Sequence, residues 1–287
     1  FATTLLLPFS RGLERLACLT IRDEQQEVAQ EQQDELLVLD SRFLDQPAFA
    51  MEQSVHAAVQ MAEESKKTLF TAMDLIGNYS DEKAKKVLEL ESLVDRYEDE
   101  LGSYLVKLAR KNLNSHDSHT LSIVLHSIGD FERISDHAVN IMEAAQEMDK
   151  KKLTFSKKAE AELKVLCQAV RDIVDNSYKV FMEQDRKLAQ SIEPLEEVID
   201  GLNQELKKRH IRRLRNGKCT IELGFILSDI TTSLERVADH CSNISVCVTQ
   251  VRDDSYDTHS YLDSVKNEDG GTFRGMVLQA EEKYMLP

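Results

Sequence analysis

Glu132-Arg133-Ile134-Ser135-Asp136-His137-Ala138-Val139-Asn140-Ile141 returns further along the chain as Glu235-Arg236-Val237-Ala238-Asp239-His240-Cys241-Ser242-Asn243-Ile244, an offset of 103 residues. Around each copy the apolar residues recur at three- and four-residue steps. Leu121, Val124, Leu125, Ile128, Phe131, Ser135, Ala138, Ile141, Met142 and Ala145 form one stripe. Leu223, Ile226, Leu227, Ile230, Leu234, Val237, Cys241, Ile244 and Val248 form the other. That spacing lays one apolar face along an α-helix. A second word, Glu91-Ser92-Leu93-Val94-Asp95, returns as Glu196-Glu197-Val198-Ile199-Asp200, offset by 105 residues. The difference of two falls in the loop between the middle and last helix of each unit. A period near one hundred residues is a duplicated domain, because stacked solenoid units are much shorter.

Turn chemistry sets the helix limits. Gly77-Asn78-Tyr79-Ser80 breaks one helix and lets Ser80 cap the next, with Asp81 and Glu82 at its positive end. Asn112–Ser118 and Asp149–Ser156 are further breaks, Pro194 marks a helix start, and Asn216-Gly217 closes a helix. Six helices are expected at about 48–76, 81–111, 119–148, 157–184, 194–215 and 219–250. The expected fold is all-α: two antiparallel three-helix bundles, residues 48–150 and 151–252, since short connections make successive helices antiparallel neighbours. A stub at 1–21 and a polar linker at 22–47 precede them, and a tail at 253–287 follows.

The balance of 36 Lys+Arg against 51 Asp+Glu gives a formal net charge of −15, which argues against nucleic acid as a partner. A 41% hydrophobic share is enough to bury a core. Cys18, Cys167, Cys219, Cys241 and Cys247 are odd in number and contain no Cys-x-x-Cys pair, so they fit neither a disulfide framework nor a zinc ribbon and point to a reducing compartment. The opening run Phe1–Phe9 is about half of the roughly 20 residues that a spanning helix needs. Two readings stand: the first turns of a core helix, or the end of a transmembrane helix, in which case Arg11 and Arg15 flank it on the cytoplasmic side.

The duplicated words also bear chemistry. Glu132 and Asp136, and likewise Glu235 and Asp239, stack two carboxylates one helical turn apart at the border of the apolar stripe. Glu91/Asp95 and Glu196/Asp200 repeat the spacing on the preceding helix. If those helices face each other, four carboxylates meet in each copy. Such clusters need a base or a cation to offset repulsion and desolvation. Oxygen-only donors suit Mg²⁺, Mn²⁺, Ca²⁺ or iron rather than a structural zinc. The competing reading is that these are solvated pairs accompanying Arg133 and Arg236. A di-iron oxidase is disfavoured because no His has Glu three residues before it. His137 and His240 are read as supporting or surface groups, and His116-x-x-His119 as part of a loop. Phosphate-cradling Gly-rich loops and nucleophile motifs are absent. Lys207, Lys208, Arg209, Arg212, Arg213, Arg215 and Lys218 form a basic cluster with two readings: compensation of a helix C-terminus, or contact with anionic lipid or a partner loop.

The duplicated unit with Glu-Arg-Ile-x-Asp-His-x-x-Asn-Ile resembles the PhoU family over about residues 45–250. The resemblance implies a PhoU-like pair of three-helix bundles without catalysis. It also implies metal ions (Fe, Mn, Mg or Zn) held by Glu91, Asp95, Glu132 and Asp136 in the first copy, and by Glu196, Asp200, Glu235 and Asp239 in the second. Asp130 has Ser233 as its counterpart, which makes the second copy the weaker expected site. Leu5-Leu6-Leu7-Pro8-Phe9, Leu39-Asp40-x-Arg42-Phe43-Leu44 with Pro47, and Lys283-Tyr284-Met285-Leu286-Pro287 look like segments of bacterial sodium–phosphate cotransporters. This finer resemblance implies a regulatory domain on the cytoplasmic side of the cell membrane, tuning phosphate uptake. Its partners are then the transporter domain of the same chain, the membrane surface and a second copy as homodimer, with no nucleic acid. A stand-alone PhoU-type signalling regulator is the alternative reading.

Overall fold

The computed structural model describes residues 39–250 and 270–287. The expected stub, the linker up to residue 38, Cys18 and residues 251–269 lie outside the described residues. A 3-10 turn at Ser41–Asp45 leads into α1 (Pro47–Asp74), α2 (Asp81–Leu108), α3 (Ser115–Lys150) and α4 (Lys157–Glu183). A one-turn α5 (Arg186–Ala189) follows, then α6 (Ile192–Arg215), α7 (Ile221–Gln250) and α8 (Gly270–Lys283). Among the described residues no helix is long and apolar enough to cross a membrane.

The helix starts follow from their caps. Ser80 accepts from the Lys83 N–H and Ser156 from the Ala159 N–H, which satisfies donors that the first turn leaves open. α3 starts four residues earlier than its apolar stripe suggests. Asn114 accepts from the Asp117 N–H at 2.8 Å and donates to the Asp117 carboxylate at 2.8 Å. His116 and His119 therefore sit on the opening turns of a helix, not in a loop. α6 begins at Ile192, two residues before Pro194, because a first-turn residue has no intrahelical acceptor to lose. Gly217, at φ +64°, ends α6 in the left-handed region that glycine adopts without strain.

Two expectations for the flanks are corrected. The linker does not run to residue 47: Asp40 caps the 3-10 turn through the Arg42 N–H, and Leu44 enters the core. The Tyr104 hydroxyl donates to the Asp40 carbonyl at 3.3 Å, fixing this entry to α2. The tail carries α8, which packs on α6 and buries Tyr284.

α1, α2 and α3 pack mutually as one three-helix bundle, and α4, α6 and α7 as the other. The apolar stripes found in the sequence are the core: Ile128, Phe131, Ala138, Ile141 and Met142 are buried, as are Ile226, Leu227, Leu234, Val237 and Ile244. Each large side chain so buried contributes roughly 1.5–3 kcal/mol. The two bundles meet chiefly along α3 and α7, which run antiparallel. Lys151 near the end of α3 pairs with Glu222 at the start of α7 at 2.6 Å, while the Cys247 thiol near the end of α7 donates to the Ile123 carbonyl at 3.8 Å. A second seam joins α1 to α4. There Arg171 pairs with Asp74 at 2.6 Å over the Phe70 ring, and the Tyr178 hydroxyl donates to Glu63 at 2.6 Å.

Candidate metal centre and the histidine interface

Glu196 and Asp200 stand one turn apart on α6, and Asp239 faces them from α7. Carboxylate oxygens of the three, one from each, lie within 4.8 Å of one another, and all three side chains are half-buried. Among the described residues this is the one group of three or more His, Cys, Asp or Glu donors so arranged. Three oxygens at that separation fit the donor set of a hard or intermediate divalent ion. Glu235 is not brought into the trio. It accepts from the Asn203 amide and lies 3.9 Å from Lys207 Nζ.

In the first bundle Glu91, Asp95, Glu132 and Asp136 act on one another without closing into such a trio. Burial, and then the negative charge of Asp136, push the Glu132 carboxyl up to about 6. Burial, followed by Asp136 and Asp95, also raises Glu91. Both shifts have the cause that like charges near an apolar stripe impose, a higher cost of ionising each carboxyl. Arg133 pairs with Asp136 at 3.2 Å and with Glu132 at 3.4 Å; Arg236 pairs with Asp239 at 3.0 Å. The arginine of each word therefore attends its aspartate in both copies. The expectation that the second copy is the weaker cluster does not match this geometry, since its trio is the tighter one.

Asp130 does not add to the first-copy cluster. Its carboxylate serves the bundle interface rather than Glu132: Oδ1 lies 2.8 Å from His240 Nδ1 and accepts from the Asn243 amide at 3.3 Å. The His137 and His240 rings face each other across α3 and α7 with centroids 5.7 Å apart and planes tilted by 32°. Burial, and then the neighbouring His240, lower the pKa of His137. The available sequence signal was spacing. Asp130 and His137 are seven residues apart, two helical turns on one face, so both look toward the same neighbour.

Part of the basic cluster is also absorbed by the fold. Arg209 and Arg213 hold the two oxygens of Glu162 at 3.0 and 2.6 Å, and Glu162 is fully buried. Arg209 also donates to the Pro287 carbonyl at 2.7 Å, while Lys283 and Tyr284 bind Asp172 at 2.5 and 2.6 Å, anchoring α8. The four described cysteines, Cys167, Cys219, Cys241 and Cys247, are unpaired. A cleft of about 760 Å³, not foreseen from the sequence, opens between the α1–α2 turn, the end of α3 and α4. Arg171, Lys152 and Lys164 on its rim are matched by Asp74, Asp149 and Glu160, so its charge favours neither sign of ligand.

Comparison with known proteins separates the same two halves. The PhoU domain family matches residues 58–145 and 163–248. A phosphate-specific transport system accessory protein PhoU homolog 1 of Thermotoga maritima is 27% identical over 197 residues, covering 68% of this chain and 78% of that protein. The homolog of Xylella fastidiosa is 26% identical over 194 residues, covering 65% and 77%. Among solved structures, PhoU from Pseudomonas aeruginosa superposes with a TM-score of 0.65 at 20% identity, covering 71% of this chain and 97% of that one. The regulatory protein PhoU from Streptococcus pneumoniae gives 0.64 at 18%, covering 73% and 98%. The two matched segments are the two bundles, and between them they carry all eight duplicated carboxylates. The chain belongs to the PhoU family.

Proposed function

We propose that this chain is a PhoU-type regulator of phosphate transport that acts by binding, not by catalysis. The observation that carries this reading is the coincidence of both family matches with both carboxylate-bearing bundles. The names of the relatives, accessory proteins of phosphate-specific transport, supply the process. Glu196, Asp200 and Asp239 are the residues proposed to hold a divalent ion, with Glu91, Asp95, Glu132 and Asp136 as the counterpart set and Glu235 adjoining. An ion there supplies positive charge that ties α6 to α7, so its role is structural or signalling.

A finer reading makes the chain the cytoplasmic regulatory domain of a sodium-dependent phosphate cotransporter at the cell membrane. Its support is the apolar Phe1–Phe9 run and the Leu39–Leu44 entry. The described bundles are equally suited to a stand-alone regulator, and the relatives named above favour that form. The test is uptake of labelled phosphate in a bacterium that lacks its own PhoU. The expected result is restrained uptake in phosphate-rich medium when the chain is expressed. Unchanged uptake counts against the regulatory reading.

A further inference from the structure

At the α6–α7 hairpin the surface departs from the rest of the molecule. Ile221 and Phe225, one turn apart on α7, are 65% and 69% exposed, and Ile211 on the last turns of α6 is 49% exposed. Residues four apart share a helix face, so Ile221 and Phe225 form one apolar edge. Lys208, Arg212 and Arg215 on the last turns of α6, and Lys218 in the turn to α7, are all exposed. None of these four forms an ion pair among the described residues, whereas Arg209 and Arg213 of the same cluster are committed to Glu162. Glu222, next to Ile221 in the chain, is already paired with Lys151. Asp229 bounds the patch one turn beyond Phe225.

The duplication provides an internal control. At the offset of 103 residues, Ile221 and Phe225 correspond to Ser118 and Ser122 at the start of α3. At the offset of 105, Lys208, Arg212 and Arg215 correspond to Ser103, Lys107 and Arg110. The same hairpin therefore folds in the first bundle with serine at the Ile221 and Phe225 positions. Ile211 has an apolar counterpart, Val106, equally exposed at 49%, so the difference between the copies rests on α7. The fold does not require Ile221 and Phe225 to be apolar, and leaving them in water is unfavourable.

We propose that the α6–α7 tip docks on an anionic phospholipid surface. Exposed aliphatic and aromatic side chains in one hairpin with unpaired cations match the two layers of that surface. Acyl boundary accepts the first, and phosphate headgroups attract the second. The charge is local and opposite to the net −15 of the chain, so the tip sets the orientation of approach. This surface is separate from the carboxylate trio, and the inference stands independently of the regulatory reading, which the uptake assay tests alone.

The experiment is cosedimentation of the full chain with phosphatidylcholine vesicles and with vesicles that also contain phosphatidylglycerol. The wild type is compared with I221S/F225S, which installs the residues of the first copy, and with R212E/R215E. Both pairs are exposed, so the variants should keep the wild-type circular dichroism and melting temperature. The Phe1–Phe9 run is common to all three proteins, so protein is titrated at vesicle concentrations where the wild type is half bound and a difference between variants reports on the tip. The expected result is binding to anionic vesicles that added salt weakens. I221S/F225S should weaken it at least about tenfold, and R212E/R215E about fivefold or more for each reversed charge. Equal binding by the wild type and both variants, or no wild-type binding at low salt, overturns the proposal. So does a dimer in analytical ultracentrifugation that I221S/F225S converts to monomer without any vesicle binding, because the patch then joins two copies.

Discussion

His240 Nδ1 lies 2.8 Å from Asp130 Oδ1 on the facing helix, whereas Nδ1 of its counterpart His137 is buried with no hydrogen-bond partner among the described residues. The duplication put a histidine on each side of the α3–α7 interface but an acceptor on one side only, since Ser233 stands where Asp130 has its equivalent. A symmetric scaffold thereby acquires one polar lock. Truncating Asp130 removes the acceptor for two groups, His240 and the Asn243 amide. Asp130→Ala is expected to cost about 1–3 kcal/mol in urea denaturation. A change within about 0.5 kcal/mol, the usual range for surface substitutions, would show that water replaces the carboxylate fully.

Glu162 is fully buried between Arg209 and Arg213, so its removal leaves Arg213 without its carboxylate and Arg209 with only the more exposed Glu205, 3.1 Å away. Breaking a buried pair by deleting one partner typically costs about 3–5 kcal/mol. Glu162→Ala should show a loss of that order, and because Arg209 also contacts Pro287, proteolysis near α8 should speed up. An unchanged melting curve would contradict the assignment.

Gly224 makes room for His210. A methyl group at residue 224 would lie 2.7 Å from His210 Nε2, and His210 is 7% exposed, so the ring has little space to yield. Gly224→Ala should destabilise by about 1–3 kcal/mol through overpacking. In a His210→Ala background the same change should cost much less. Equal costs in both backgrounds, read from a double-mutant cycle, would remove the proposed contact.

The same histidine predicts a pH dependence. Burial, and then the Arg213 charge, lower the folded-state pKa of His210 below its ordinary value. The unfolded chain then binds the proton more readily, so stability rises with pH across this window. The contribution is complete above roughly pH 6.5, the value of an unperturbed histidine, and is lost as pH falls toward the lowered folded-state pKa. Urea midpoints measured from pH 7.5 down to 5.5 should decline, and His210→Gln should flatten the slope. A variant as steep as the wild type would place the dependence elsewhere.

The duplicated words were enough to read two three-helix bundles and nearly all of the helix limits, because apolar spacing and capping are local signals. Chemistry that joins the bundles was less legible. Asp130 stands two residues before Glu132, and adjacency suggested one cluster, yet on a helix it turns away toward α7. Arg209 and Arg213 read as part of a surface cluster because their buried partner, Glu162, lies 47 residues away from the first of them. α8 was missed because its sequence, Gly-Gly-Thr-Phe-Arg-Gly at the start, has poor intrinsic helix propensity, and packing on α6 supplies what propensity does not.

The two copies should differ in affinity for metal. The Glu196–Asp200–Asp239 trio has its oxygens already gathered, so an ion entering it loses little freedom of the ligands. The first-copy carboxylates must approach, and Glu132, raised to about 6, competes for protons. An ion bound only by the folded state stabilises it by mass action, by about 2.7 kcal/mol at a hundredfold excess over Kd. Mn²⁺ or Fe²⁺ should therefore raise the melting temperature of the wild type, and EDTA should reverse the shift. Asp239→Ala should abolish the shift at low metal concentration, while Asp136→Ala retains it. Without metal, Asp239→Ala should be no less stable than the wild type, because losing the half-exposed Arg236 pair, worth at most about 1 kcal/mol, is offset by relief of carboxylate repulsion. Melting curves with and without metal, paired with elemental analysis of protein purified without chelator, decide the matter. Equal loss in both variants would erase the asymmetry, and no shift in any protein would leave the trio as a set of packing residues at the α6–α7 seam.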